Sequence, residues 1–265
     1  MRLSVYVGGI GVLGPGFPDW PGAAAVLSGR EAYRPAATVL PAPSILAAAE
    51  RRRTGRVVKL ALAVALEATA RAGVNPAELA SVFSSSGADG HNCHEICRSL
   101  ALAGREMSPT RFANSVHNVA AGYWSIATGA MTESNALCAF DASFTAGLLE
   151  AFTQVSVDRE PILLVAYDAE YPYPLHAVRP IPDAFGVAML LTPERHLGSL
   201  ARMEAALTDE AFERLADPQL EALRSAIPAA RCLPLLRRLA AREEGRAILE
   251  YLDVARAAVQ IEPCV

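Results

Sequence analysis

Apolar positions along the chain fall into two patterns. Largely apolar runs of strand length stand at 3–11, 162–167 and 186–191, and a further strand is read at 81–85. Such runs predict buried strands. Between them lie segments whose apolar residues recur every three or four positions. The clearest is 53–72, with Val57, Leu60, Ala61, Val64 and Ala68 on one face and Gly73 placed to end it. Residues 20–29 and 91–103 predict further helices, and 200–207 fits strand or helix. The stretch 118–128 is a helix of small residues closed by Gly129. A short strand at 136–140 follows it, and a second small-residue helix opens at the turn 141–143. From 209 onward the pattern is helical, with the charges of 233–255 set on one side. Strands alternating with helices predict a layered α/β fold. The expected organisation is one unit over residues 1–200 and a short helical segment over 201–265 packed on it.

Composition narrows the class. Hydrophobic residues make up 52% of the 265 and charged residues 20%, a globular balance large enough to bury a core. A net charge of -4 excludes a general nucleic-acid binder. Arg51, Arg52, Arg53 and Arg56 are a local exception, read as a solvated helix start or as a docking patch for an acidic carrier protein. The five cysteines, at 93, 97, 138, 232 and 264, are odd in number and irregular in spacing. They suit reduced thiols rather than a disulfide framework. No signal-peptide pattern precedes the first strand, and the apolar run 60–66 is closed by Lys59 and Glu67 before it reaches membrane length. A soluble, cytoplasmic protein is expected.

Two motifs raise chemistry and then lose it. Gly9, Gly11 and Gly14 match G-x-G-x-x-G, but Pro15, Gly16 and Pro18 stand where a dinucleotide-binding helix would begin. Cys93 and Cys97 share a helix face beside His91 and His94, yet the other cysteines supply no second ligand pair. No metal and no cofactor is expected.

The central stretch 112–152 carries the main signal. A strand running into a helix start is where many enzymes mount a nucleophile, because the helix N-terminus stabilises negative charge. Here Asp141 stands at that start, with Cys138 inside the expected strand. The residues Asn118, Ala121, Gly122, Ile126 and Gly129, then strand, turn and small-residue helix, resemble the N-terminal half of the β-ketoacyl synthases. Residues 8–12 and 186–190 are similar to that half's first and late strands. Ser108-Pro109-Thr110-x-Phe112 with Ser115-Val116-His117-Asn118 resembles the short chain-length factors of bacterial aryl-polyene (xanthomonadin-like) pigment clusters.

The resemblance implies a thiolase-like fold over about residues 1–193. It places Asp141 at the position of the catalytic cysteine and Ser143 at the serine that follows it. The family's two catalytic histidine contexts do not occur, and the chain ends where much of the family's second half would lie. A carboxylate cannot replace the thiolate as a recyclable acyl carrier. The resemblance therefore implies a silent subunit that pairs with an active β-ketoacyl synthase as a heterodimer, with Asp141 reduced to a helix N-cap. Phe112, Val116, Asn118, Tyr123 and Trp124 are the candidate interface or acyl-tunnel residues. The competing reading is a small acyltransferase using Cys138 with His117 or His176 as base. A third is a homodimeric module that binds an acyl carrier protein.

Overall fold

A computed structural model describes residues 3–264. In chain order come β1 (Leu3–Leu13), α1 (Trp20–Leu27), α2 (Ala48–Arg51), α3 (Arg56–Ala72) and β2 (Ala80–Ser84). Then follow α4 (Gly90–Ala101), α5 (Pro109–Ala113), α6 (Val119–Thr128), β3 (Ser134–Leu137) and α7 (Ser143–Asp158). β4 (Ile162–Asp168), α8 (Leu175–Val178), β5 (Phe185–Thr192) and β6 (Ala201–Thr208) lead to the C-terminal region. That region holds α9 (Pro218–Ala226), α10 (Leu233–Ala241), β7 (Gly245–Glu250) and β8 (Arg256–Pro263).

All the strands join one sheet in the order β3-β2-β4-β5-β1-β6-β8-β7. β2 runs parallel to β3 and β4, and the other neighbours are antiparallel. Alternation along β4 divides the core. Ile162, Leu164 and Ala166 point to one face, and Leu163, Val165 and Tyr167 to the other. The first face is covered by α1, α7, α9 and α10, the second by α3 and α6. In β1 a bulge between Val7 and Gly9 shifts the register. That shift keeps Val5, Val7, Ile10 and Val12 in one core despite their uneven spacing. α3 needs its one mid-helix acid for a structural task. Glu67 accepts the Val12 and Trp20 N–H groups at 3.0 and 2.8 Å, tying β1 and the start of α1 to the helix.

The layered α/β expectation holds, and the C-terminal expectation needs correction. Residues 201–265 are not simply helical: β6, β7 and β8 extend the sheet, and only α9, α10 and the 3-10 turn Pro228–Cys232 are helical. Alanine-rich strands carry helix-forming residues, and tertiary pairing overrides that preference.

The two sheet edges differ. At the β7 edge the Glu213 N–H donates to the Ile248 carbonyl at 2.9 Å, so an irregular segment closes part of it. At the other edge β3 bonds β2 on one side, and Ser134, Asn135 and Ala136 are exposed. No described helix is long and apolar enough to cross a membrane.

Candidate functional site

β3 leads into the turn singled out by the sequence. Phe140 has φ 52°, the left-handed region that a non-glycine residue occupies at a cost. Ser143 holds the turn shut: its Oγ accepts the Ala139 N–H at 3.0 Å and donates to the Phe140 carbonyl at 2.7 Å. α7 then runs buried beneath the sheet. Gly147 is required there, since a Cβ on it would lie 2.8 Å from the Ser84 Cβ.

Asp141 is not the N-cap of α7. That position is Ala142, and no side chain caps it. The Asp141 carboxylate instead meets two arginines. Arg179, after α8, pairs with one oxygen, and Arg231, in the 3-10 turn, binds the other at 2.9 Å. The Arg179 guanidinium also lies over the Phe140 ring, 3.9 Å from its centroid. Arg231 continues to Glu250 at 3.3 Å, and Glu250 binds the buried Arg224 at 2.5 Å. Arg224 is held from behind by Glu221 at 2.7 Å. The Asp141 carboxylate is thus one link in a chain of alternating charges joining the turn to the C-terminal strands. Asp141→Ala is expected to lower stability by about 1–2 kcal/mol, a value between exposed and buried pairs. Urea denaturation checks this, and an unchanged midpoint would show that the pairs contribute nothing.

The other candidates separate. The strand ends at Leu137, so Cys138 lies beyond it and is exposed rather than core-facing. Its thiol donates to the Ser86 carbonyl at 3.2 Å, while His117 Nε2 lies 3.3 Å from the Ser85 carbonyl. Among the described residues no hydrogen bond joins Cys138 to a histidine. His176 stacks against Tyr173 with ring centroids 5.1 Å apart. Among the described residues there is no group of three His, Cys, Asp or Glu side chains that could hold a metal.

Of the five interface candidates, Phe112, Val116 and Asn118 are exposed. Tyr123 is largely buried but lines a groove of about 500 Å³ together with Val116, Val119 and Ile126. Arg53 and Glu50, paired at 3.2 Å, also line it. Trp124 is corrected: it is 1% exposed, packed in the core beneath α3, and cannot meet a partner directly. α6 turns its Trp124 side inward, and exposes Ile126 on another side. Periodicity gives the helix but not the side that a neighbour will cover. Ile126, 60% exposed and lining the groove, and Met131, 95% exposed just beyond α6, carry no sequence mark beyond being apolar.

Asp168, at the end of β4, is a further buried acid that the sequence expectations do not include. Its buried carboxylate accepts Ser86 N–H and Oγ–H at 2.8 and 2.6 Å and Ala229 N–H at 2.9 Å. Burial raises its pKa to about 6, against the opposing pull of those hydrogen bonds. An acid closing an otherwise apolar strand run was the available signal.

Comparison with known structures recovers this architecture. A structure of a ketosynthase in complex with its chain length factor from Xenorhabdus doucetiae aligns with a TM-score of 0.72 at 22% identity, covering 97% of this chain and 99% of that one. The ishigamide ketosynthase/chain length factor aligns at 0.72 and 14% identity, covering 99% and 100%. A ketosynthase from module 1 of the bacillaene synthase of Bacillus amyloliquefaciens aligns at 0.69 and 11%, covering 99% of this chain and 76% of that one. At these identities the likeness establishes the fold, which is thiolase-like. No curated protein sequence matches. Residues 27–246 match the family described as beta-ketoacyl synthase, N-terminal domain, which is more than half the chain. The chain with the open β3 edge and the arginine-clasped Asp141 therefore belongs to the β-ketoacyl synthase N-terminal domain family.

Proposed function

We propose that this chain is a non-catalytic partner of an active β-ketoacyl synthase, pairing with it to set product length in polyene- or fatty-acid-type elongation. The observation that carries the reading is the open face formed by the β3 edge, α5 and α6. An unpaired strand edge is a template for another chain. Apolar side chains exposed around it (Phe112, Val116, Ile126 and Met131) favour burial against a partner. In this reading the face belongs to the ketosynthase-like unit, residues 1–200. Phe112, Val116 and Tyr123 then border the far end of the partner's acyl tunnel. Two of the structural relatives are ketosynthase/chain length factor pairs, which supports the same arrangement.

Catalytic silence is the second half of the proposal. Condensation needs a nucleophile to hold the acyl group and donors for the developing enolate. Asp141 is engaged by Arg179 and Arg231, and among the described residues no histidine is hydrogen-bonded to Cys138. The basic segment beside the groove favours a further contact with an acidic acyl carrier protein. Arg51 and Arg52 pair with no described acid, while Arg53 and Arg56 do.

Co-expression with a ketosynthase encoded beside it tests the pairing. A complex is expected to survive size-exclusion chromatography. Ile126→Asp is expected to weaken it by about 2 kcal/mol, roughly 30-fold, by burying an unpaired charge. Separate elution together with a ketosynthase fully active alone would sink the proposal. Stable acylation of Asp141 or Cys138, read by mass spectrometry, would overturn the silent role.

A further inference from the structure

We propose that Cys93 and Cys97 form a two-thiol site for a soft, thiophilic centre such as a trivalent arsenical. Both cysteines are exposed on α4. They stand four residues apart and so lie on one side of the helix. Burial and then the neighbouring Cys97 thiol push the Cys93 thiol up, as expected of two thiols on one helix side. Cys138, Cys232 and Cys264 lie on other elements: the turn before α7, the 3-10 turn and the end of β8.

The helix selects the ligand. Side chains four apart have Cβ atoms about 5–6 Å from each other. A disulfide needs about 3.8 Å, so direct oxidation would have to distort the turn. An atom inserted between the sulfurs, with bonds of about 2.3 Å as in metal thiolates, relaxes that demand and leaves the helix intact. Zinc is a poor occupant, because it takes four ligands and no described group of three donors exists. Glu95, on the same helix, is already engaged by Arg98 and Arg111 at 3.1 and 3.4 Å. With phenylarsine oxide the two thiols displace the arsenic-bound oxygen. Two As–S bonds form, the As–O bond breaks, the two thiol protons leave with the oxygen as water, and no atom changes oxidation state.

The test uses the full reduced chain titrated with phenylarsine oxide, read by intact-mass spectrometry and by free-thiol count. One equivalent per chain is expected, with loss of two free thiols and an unchanged helical circular dichroism signal. Cys93→Ser and Cys97→Ser are each expected to weaken binding by about 100-fold or more, since one-point attachment loses the effective concentration of the second thiol. Cys138→Ser is the control and is expected to bind as the unaltered chain does. Both test variants change exposed side chains, and their circular dichroism confirms that they fold. Equal affinity in either single variant, or no uptake by the unaltered chain, overturns the site. A zinc titration gives the second arm: tight zinc retention abolished in both variants would show more ligands than two and overturn the two-thiol assignment.

Discussion

Gly11→Ala is expected to destabilise the chain by about 3 kcal/mol or more, because the added methyl has no space and nothing beside it can yield. A Cβ at this position would lie 2.1 Å from the Val64 carbonyl oxygen and 3.0 Å from the Ala68 amide nitrogen. Both atoms are backbone of α3. At Gly9 the same atom would meet the Ala68 carbonyl oxygen at 2.3 Å. The two glycines therefore let α3 lie directly on β1, and Val64 and Ala68 on the helix complete that contact. In the motif that resembles a dinucleotide fingerprint, Gly9 and Gly11 thus serve helix-on-strand packing, while Gly14 makes room for the Phe185 ring. Marginal stabilities of roughly 5–15 kcal/mol make such a loss decisive for soluble expression. Gly122→Ala is the contrasting change. Its Cβ would meet nothing within 4 Å, and alanine in a helix interior should gain about 0.5–1 kcal/mol in the isolated chain. Urea unfolding of both variants checks the pair. A Gly11→Ala protein within 1 kcal/mol of the unaltered chain would mean that α3 and β1 are not in backbone contact.

What was legible in the sequence follows from how local each signal is. β4 and β5 are buried on both faces and read as unbroken apolar runs. α3 combines a clear apolar stripe with a left-handed Gly73 cap, so the expected C-terminal end matched. β7 and β8 were hidden because Gly245–Glu250 and Arg256–Pro263 mix alanine with charged residues that suit a solvated helix equally well. Their strand character comes from pairing with β6, set by tertiary contacts. The turn at 141–143 was legible as a turn, with Phe140 adding the strained backbone. The partners of Asp141 were not. Arg231 lies 90 residues away and Arg179 sits in a proline-rich loop, so no spacing rule links them to the turn. The expectation of a helix cap was the local answer. The fold supplied a distant and charged one.

Asp168→Asn is expected to cost most in mildly acidic solution and less as the pH rises. The carboxyl group joins three separate pieces of chain: the end of β4, the Ser85–Ser86 loop after β2, and Ala229 in the C-terminal 3-10 turn. Asparagine keeps one oxygen and replaces the other by a donor. That donor must face the N–H of Ser86 or of Ala229, leaving a buried group unpaired at a cost of roughly 1–3 kcal/mol. The pH dependence has a definite sign. Burial raises the Asp168 pKa to about 6, above the ordinary carboxylate range, so the native state holds this proton more tightly than the unfolded chain does. The stability that this group contributes is fully present below the unfolded value and is lost as pH rises through about 6, a span of about 3 kcal/mol in all. The variant has no such titration. The gap between it and the unaltered chain should therefore narrow by about 1 kcal/mol between about pH 5 and pH 7, as the buried anion forms in one protein and not in the other. Urea denaturation of both chains at the two values reads this directly. A gap independent of pH would show that Asp168 titrates in its ordinary range. A variant as stable as the unaltered chain at about pH 5 would show that the Ser86 and Ala229 contacts do not hold the C-terminal turn to the sheet.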